Sequence, residues 1–182
     1  MRMSIFLLCS MFFITPALAK NVIEHGSFSQ EKHFKGFSKP FISKGIFELN
    51  EEGLTWQVQS PVKSTLFIKQ GQVYTLDSQG NEQLQKGAEP YVSLLRAILK
   101  HDRAALAEQF TINKSVEPNC EILLPNQALL KHVFSQFELC FDANKVTTVR
   151  LQEPNENFTL LRFSYTENEQ QKWKRGQLHY LG

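Results

Sequence analysis

GIFELNEEGLTWQVQSPVKSTLFIKQGQVYTLD, residues Gly45 to Asp77, decides the fold class. It divides into four extended runs: Gly45–Leu49, Leu54–Gln59, Thr65–Lys69 and Gln72–Leu76. Between them stand Asn50-Glu51-Glu52-Gly53, Ser60-Pro61 and Gln70-Gly71. Glycine and asparagine there favour turns, and proline cannot donate to a sheet ladder. Leu54, Trp56 and Val58 alternate with Thr55, Gln57 and Gln59, so one face of the second run is apolar and the other wet. Alternation over such short segments predicts an antiparallel meander. Its greasy face must be covered or must bind something.

The flanking segments extend this pattern. Upstream, Lys20–His25 reads as a short leader with one turn of helix, and Gly26–Lys35 with Gly36–Phe41 as an extended pair anchored by Phe28, Phe34 and Phe37. Downstream, Asn81–Gln85 reads as a short edge strand. A helix then starts near Pro90, because a proline at the first helical position loses no hydrogen bond. Tyr91, Leu94, Leu95, Ile98 and Leu99 fall on one helical stripe. Asp102 is placed to cap a second segment, Arg103–Gln109. Further strands are expected at Phe110–Lys114, Cys120–Leu124, Val133–Phe141, Lys145–Gln152, Phe158–Thr166 and Trp173–Tyr180, with a helical turn at Gln127–Lys131. The sum is a mainly β, α+β chain: an antiparallel sheet with one main helical cover.

Residues 1–19 read as a cleaved signal peptide. Arg2 is followed by the apolar run Ile5–Ile14, too short for a bilayer core of roughly 30 Å, and by the small-residue site Thr15-Pro16-Ala17-Leu18-Ala19. Cleavage is expected between Ala19 and Lys20, leaving residues 20–182 as one exported domain. Loss of Arg2 lowers the formal charge from +2 to +1. A near-neutral balance argues against nucleic acid as a partner, which needs a basic stripe. Fifteen phenylalanines against four tyrosines point to a dense aromatic core or a ring-lined cavity.

Two cysteines, Cys120 and Cys140, survive cleavage. They lie symmetrically about residue 130, midway between their strands, which places them opposite each other in an antiparallel pair. In an oxidising compartment a disulfide is expected, with free buried thiols as the alternative.

No catalytic or metal-binding set stands out. G-x-S-x-G and H-E-x-x-H are absent, and His25, His33, His101, His132 and His179 are scattered without ligand spacing. His101 and His132, near predicted helix ends, read as surface residues. What remains is apolar surface: Phe47, Leu49, Leu54, Trp56, Val58, Leu66 and Ile68 under a Leu/Ile stripe. A cavity and a packed core give the same periodicity here.

Several motifs together resemble one family. Gly45-x-Phe47-x-Leu49, Gly53-Leu54-x-Trp56, Pro61, Gly71 and Tyr74 are similar to the opening of the periplasmic lipoprotein carriers, LolA and its relatives. Leu123-x-Pro125, Phe134–Phe141, Val149-x-Leu151-x-Glu153 and Phe158-Thr159-x-x-Arg162-Phe163 continue the likeness. The resemblance implies a half-open antiparallel β-barrel with helices across its concave side. It also implies a monomeric, non-enzymatic, periplasmic carrier without cofactor, which shields the acyl chains of a lipoprotein or lipid between an inner-membrane donor and an outer-membrane acceptor. Phe47 and Trp56 would then form the floor, Leu95, Ile98 and Leu99 the lid, with Leu49, Val58, Leu66 and Ile68 completing the cavity. Where the carriers have an Arg-Pro latch, this chain reads Asn50-Glu51-Glu52, and the usual N-terminal helix is nearly absent before Phe28. The alternative use of the same fold is an interaction or sensor module with a filled core.

Overall fold

The computed structural model describes residues 22–51, 53–77 and 79–166. The expected signal segment and the expected strand Trp173–Tyr180 lie outside the described residues. In chain order the elements are β1 (Val22–His33), β2 (Phe41–Asn50), β3 (Leu54–Ser60), β4 (Ser64–Lys69), β5 (Gln72–Leu76) and β6 (Glu82–Leu84). Helices α1 (Glu89–Leu99) and α2 (Arg103–Ala107) follow. Then come β7 (Phe110–Lys114), β8 (Cys120–Pro125), α3 (Ala128–Val133), β9 (Gln136–Asp142), β10 (Lys145–Gln152) and β11 (Phe158–Tyr165).

All these strands join one antiparallel sheet in the order β6-β5-β4-β3-β2-β1-β11-β10-β9-β8-β7. The two halves are sequential meanders, and only the β1–β11 pairing, from Gly26–Tyr165 to His33–Phe158, unites them. The sheet does not close: β6 and β7 are its free edges. The segment carrying α1 and α2 connects those two edges. It crosses the concave side, where α1 touches β5 of one half and β10 of the other. This is the half-open barrel with helical cover implied by the sequence.

The register explains which side chains point inward. Phe47 pairs with Trp56 and Trp56 with Leu66, while Phe28 pairs with Phe163 and Leu161 with Val149. Paired residues share a face, so these all meet on the concave side. Val146 and Val149 are both fully buried although an odd number of residues apart. A register shift between Val146 and Thr148 resets the alternation, which is what a bulge does. The helical stripe needs one revision: Val92, Leu94, Ala97, Ile98 and Leu99 are buried, whereas Tyr91 is largely exposed.

Local chemistry sets the element ends as expected from the sequence. Pro90 lies in the first turn of α1, and the Asp102 carboxylate accepts a 3.1 Å hydrogen bond from the Ala105 backbone N–H to cap α2. His101, with φ of 50°, turns the chain between the two helices. Cys120 pairs with Cys140 across β8 and β9, and the two form a disulfide with Cα atoms 4.1 Å apart.

Some boundaries differ. Gly36–Pro40 is the hairpin loop, and the strand paired with β1 is Phe41–Asn50 rather than Gly36–Phe41. Val22–His25 belongs to β1 rather than to a helical turn, because a partner strand is available: Val22 to His25 run beside β2, with a bulge before Glu24. Val133 ends α3 instead of opening a strand; the helix is closed by Phe134 N–H bonding to Leu130 O at 2.8 Å.

Gly45 is fixed by contact, not by turn geometry. A Cβ there would collide with the Gln57 carbonyl oxygen and lie 2.8 Å from the Phe28 ring carbons. Gly45→Ala must push apart β2, β3 and the ring above them. Urea titration is expected to give a loss of about 1–3 kcal/mol, the usual cost of overpacking.

Candidate functional site

One half of the concave space is filled by aromatic side chains. Phe28 stacks on Trp56 with ring centroids 3.7 Å apart. Phe47 meets Phe163 and Tyr165 edge-on at 5.7 and 5.5 Å, and Trp56 meets Phe163 at 6.1 Å. The Tyr165 hydroxyl donates to the Val146 carbonyl at 2.9 Å. Burial pushes its pKa well above the ordinary phenol range, and the Glu24 carboxylate adds to that. This end is a packed plug.

Beyond Trp56 the packing stops and a groove of about 300 Å³ opens beneath α1. Its sheet wall comes from both halves: Trp56 and Leu66 on one side, Phe137, Val149, Leu151 and Leu161 on the other, with Gln30 of β1 between them. Phe134, just after α3, closes one flank. Its roof is α1, through Tyr91, Val92, Leu94, Leu95 and Ile98. The side-chain polar groups in this lining are those of Gln30, the Tyr91 hydroxyl and the Trp56 indole N–H. Such a surface holds no carboxylate, imidazole, thiol or amine. It accepts apolar chains through the hydrophobic effect, with little directional recognition.

The roof is fastened at its C-terminal end. Glu121 of β8 pairs with Arg103 of α2, and His101 Nε2 lies 3.7 Å from the same carboxylate. The His101 ring packs on Phe141 at 4.2 Å between centroids. His101 is thus half-buried, not the surface residue its position near a helix end suggested.

Two larger recesses have different chemistry. One, of about 580 Å³, lies on the convex face among Ser27, Ile46, Glu48, Thr55 and Gln57. Another, of about 540 Å³, surrounds the loops near the disulfide and mixes Lys114, Glu117 and Glu121 with Phe141. Neither is an apolar enclosure. Among the described residues, no three His, Cys, Asp or Glu side chains gather into a set able to hold a metal ion. Nor is any described helix long and apolar enough to cross a membrane.

The family model for the outer membrane lipoprotein carrier protein LolA matches residues 23–174. The chain belongs to the LolA family. No curated protein matches it by sequence. Among solved structures, a chain from the complex of Pseudomonas aeruginosa MucA and MucB is similar, at 14% identity and a TM-score of 0.46. The match covers 81% of this chain and 54% of that one, so it spans about half the length of the solved chain.

Of the cavity residues named from the sequence of this LolA-family chain, Trp56, Leu66, Leu95 and Ile98 line the groove. Phe47, Leu49 and Leu99 lie in the packed core, and Val58 and Ile68 pack against its edge. The sequence reading missed the opposite wall. Phe137, Val149, Leu151 and Leu161 alternate within their own strands, but nothing local says that these strands curve round to face Trp56. Only the β1–β11 register does.

A groove and a solid core differ in the cost of truncating the roof. Leu99→Ala removes a fully packed side chain and should cost about 3 kcal/mol. Leu95 faces the open groove, so Leu95→Ala should cost about 1 kcal/mol, since the cavity it would enlarge already exists. Equal losses in urea unfolding would mean that no groove exists in solution.

Proposed function

We propose that this LolA-family protein is a carrier for acyl chains. It is read as exported after cleavage at Ala19/Lys20 and as working in the periplasm as a monomer, without cofactor or catalysis. There it takes the acyl part of a lipoprotein or lipid from an inner-membrane donor and delivers it to an outer-membrane acceptor. The observation that carries this reading is the apolar groove between the Trp56 wall and the Leu95–Ile98 roof. Family membership supports it. So does a lining whose polar side-chain groups are confined to Gln30, Tyr91 and the Trp56 indole N–H.

The energetics suit a shuttle. Each buried methylene contributes about 0.8 kcal/mol. A chain of roughly ten would therefore gain about 8 kcal/mol, offset by at least about 4 kcal/mol for association. The remainder is a modest affinity that allows release. At about 300 Å³, the groove is at the small end of ligand cavities, which run from roughly 300 to 1,000 Å³. One chain fits under α1 as it stands, and a bulkier anchor requires α1 to lift from the sheet.

Uptake of a fluorescent fatty acid by the purified protein tests this reading. Leu95→Glu and Trp56→Glu should each weaken uptake by about 100-fold or more, because an ionised carboxylate would have to be desolvated against the chain. Circular dichroism checks that both variants are folded. Unchanged uptake by folded variants would remove the groove from the binding event. A wild-type protein that takes up no acyl probe would instead be an interaction module.

A further inference from the structure

The hairpin joining β1 to β2 carries an aromatic cluster that the groove does not use. The stretch KHFKGFSKPFISKGIF, Lys32 to Phe47, places a lysine beside nearly every ring and contains no acidic residue. Phe34, Phe37 and Phe41 are 38%, 67% and 61% exposed, and Ile42 is 51% exposed. The three rings pack only on one another among aromatic groups of the described residues, with centroids 5.6 to 6.3 Å apart. The tip therefore presents one apolar knob rather than scattered side chains. Exposed aromatic clusters of this kind are unusual on a water-facing surface and mark an interaction site.

Charge identifies what the knob fits. Glu153 and Glu156, on the neighbouring β10–β11 loop, pair with Lys32 and Lys35. Lys39 and Lys44 have no ion-pair partner among the described residues, and Lys63 on the nearby β3–β4 turn likewise has none. That turn also exposes Val62. It lies at the same end of the sheet, because Ser60 pairs with Lys44. Rings that enter an acyl boundary, ringed by long lysine stems that reach back to headgroups, match an anionic bilayer surface. The knob is also continuous with the groove. On the inner face of β1, Phe28 packs in the core, Gln30 lines the groove, and Lys32 and Phe34 follow towards the tip.

We infer that the β1–β2 hairpin, through Phe34, Phe37 and Phe41 with Lys39 and Lys44, docks this protein on an anionic phospholipid surface, with the near end of the groove turned to the headgroups. The docking goes beyond the carrier reading and does not require an occupied groove.

Flotation of the full exported chain with vesicles provides the test. Vesicles of phosphatidylglycerol and phosphatidylethanolamine should carry the wild type upward, and high salt should release most of it. Vesicles of phosphatidylcholine alone should carry far less. Phe37→Ser with Phe41→Ser should cut flotation by about ten-fold or more. Lys39→Glu with Lys44→Glu should weaken it and flatten its salt dependence, by roughly five-fold per lysine at low salt. Fatty-acid uptake from solution should be unchanged in the serine variant, which separates loss of docking from loss of the groove. Phe37→Trp provides an independent check, since its emission should be quenched by brominated acyl chains beyond any quenching of the wild type. Wild type that stays with the lipid-free fraction would overturn the proposal, whether or not the knob instead pairs two copies of the chain. So would a serine variant that floats as well as wild type, or Phe37→Trp emission insensitive to brominated lipid.

Discussion

Pairing of β1 with β11 is the constraint on which the rest of this structure depends. Each half of the sheet is a local meander that neighbouring turns can build alone. Their union requires residues near the start of the described chain to meet residues near its end, from Gly26–Tyr165 to His33–Phe158. Such non-local contacts are entropically expensive to form and are rewarded only by the burial that follows. Once they form, Phe28 comes over Phe163 and under Trp56, and the two halves share one aromatic plug. The free edges β6 and β7 are then left on opposite sides, and the chain between them has to cross the concave face. The roof helix is a consequence of the topology.

Because the crossing segment is a helix with a single apolar stripe, it seals the curved sheet incompletely. Aromatic rings fill the part of the interior near Tyr165. Past Trp56 the groove is lined on the sheet side by Leu66, Val149, Leu151 and Leu161. Trp56 is therefore both the edge of the plug and the end wall of the groove. The disulfide and the Glu121 contacts with Arg103 and His101 tie β8, β9 and α2 together on the far side. They hold the C-terminal end of the roof, and the N-terminal half of α1 buries Val92 and Leu94 in the core.

Much of this was legible in the residues, and what was not has a common cause. The four strands between Gly45 and Asp77 were readable because alternation and turn chemistry are local. The same holds for Pro90 at the head of α1 and Asp102 at the head of α2. Cys120 and Cys140 were readable as a pair because symmetric spacing about a hairpin is also local. The β-structure of Val22–His25 was not, since those residues become a strand only beside β2. Val133 was assigned to a strand because its apolar neighbours continue the pattern of β9, and the helix-closing bond from Phe134 to Leu130 leaves no sequence signature. In the site, the near wall at Trp56 and Leu66 was visible, and so was the Leu95–Ile98 face of the roof. The far wall was hidden because only the non-local β1–β11 register brings Phe137, Val149, Leu151 and Leu161 round to face Trp56. Phe47, Leu49 and Leu99 look like cavity residues in sequence because periodicity identifies the inner face but not where that face stops being packed.

The most direct examination of the central claim is mass spectrometry of a solvent extract from the protein, purified without added lipid or detergent. An open groove beneath α1 should retain a fatty-acyl compound in near-stoichiometric amount, and Leu95→Glu, purified in parallel, should lose it. A folded wild-type protein that yields no more acyl material than the variant would contradict the claim that the space under α1 receives a chain.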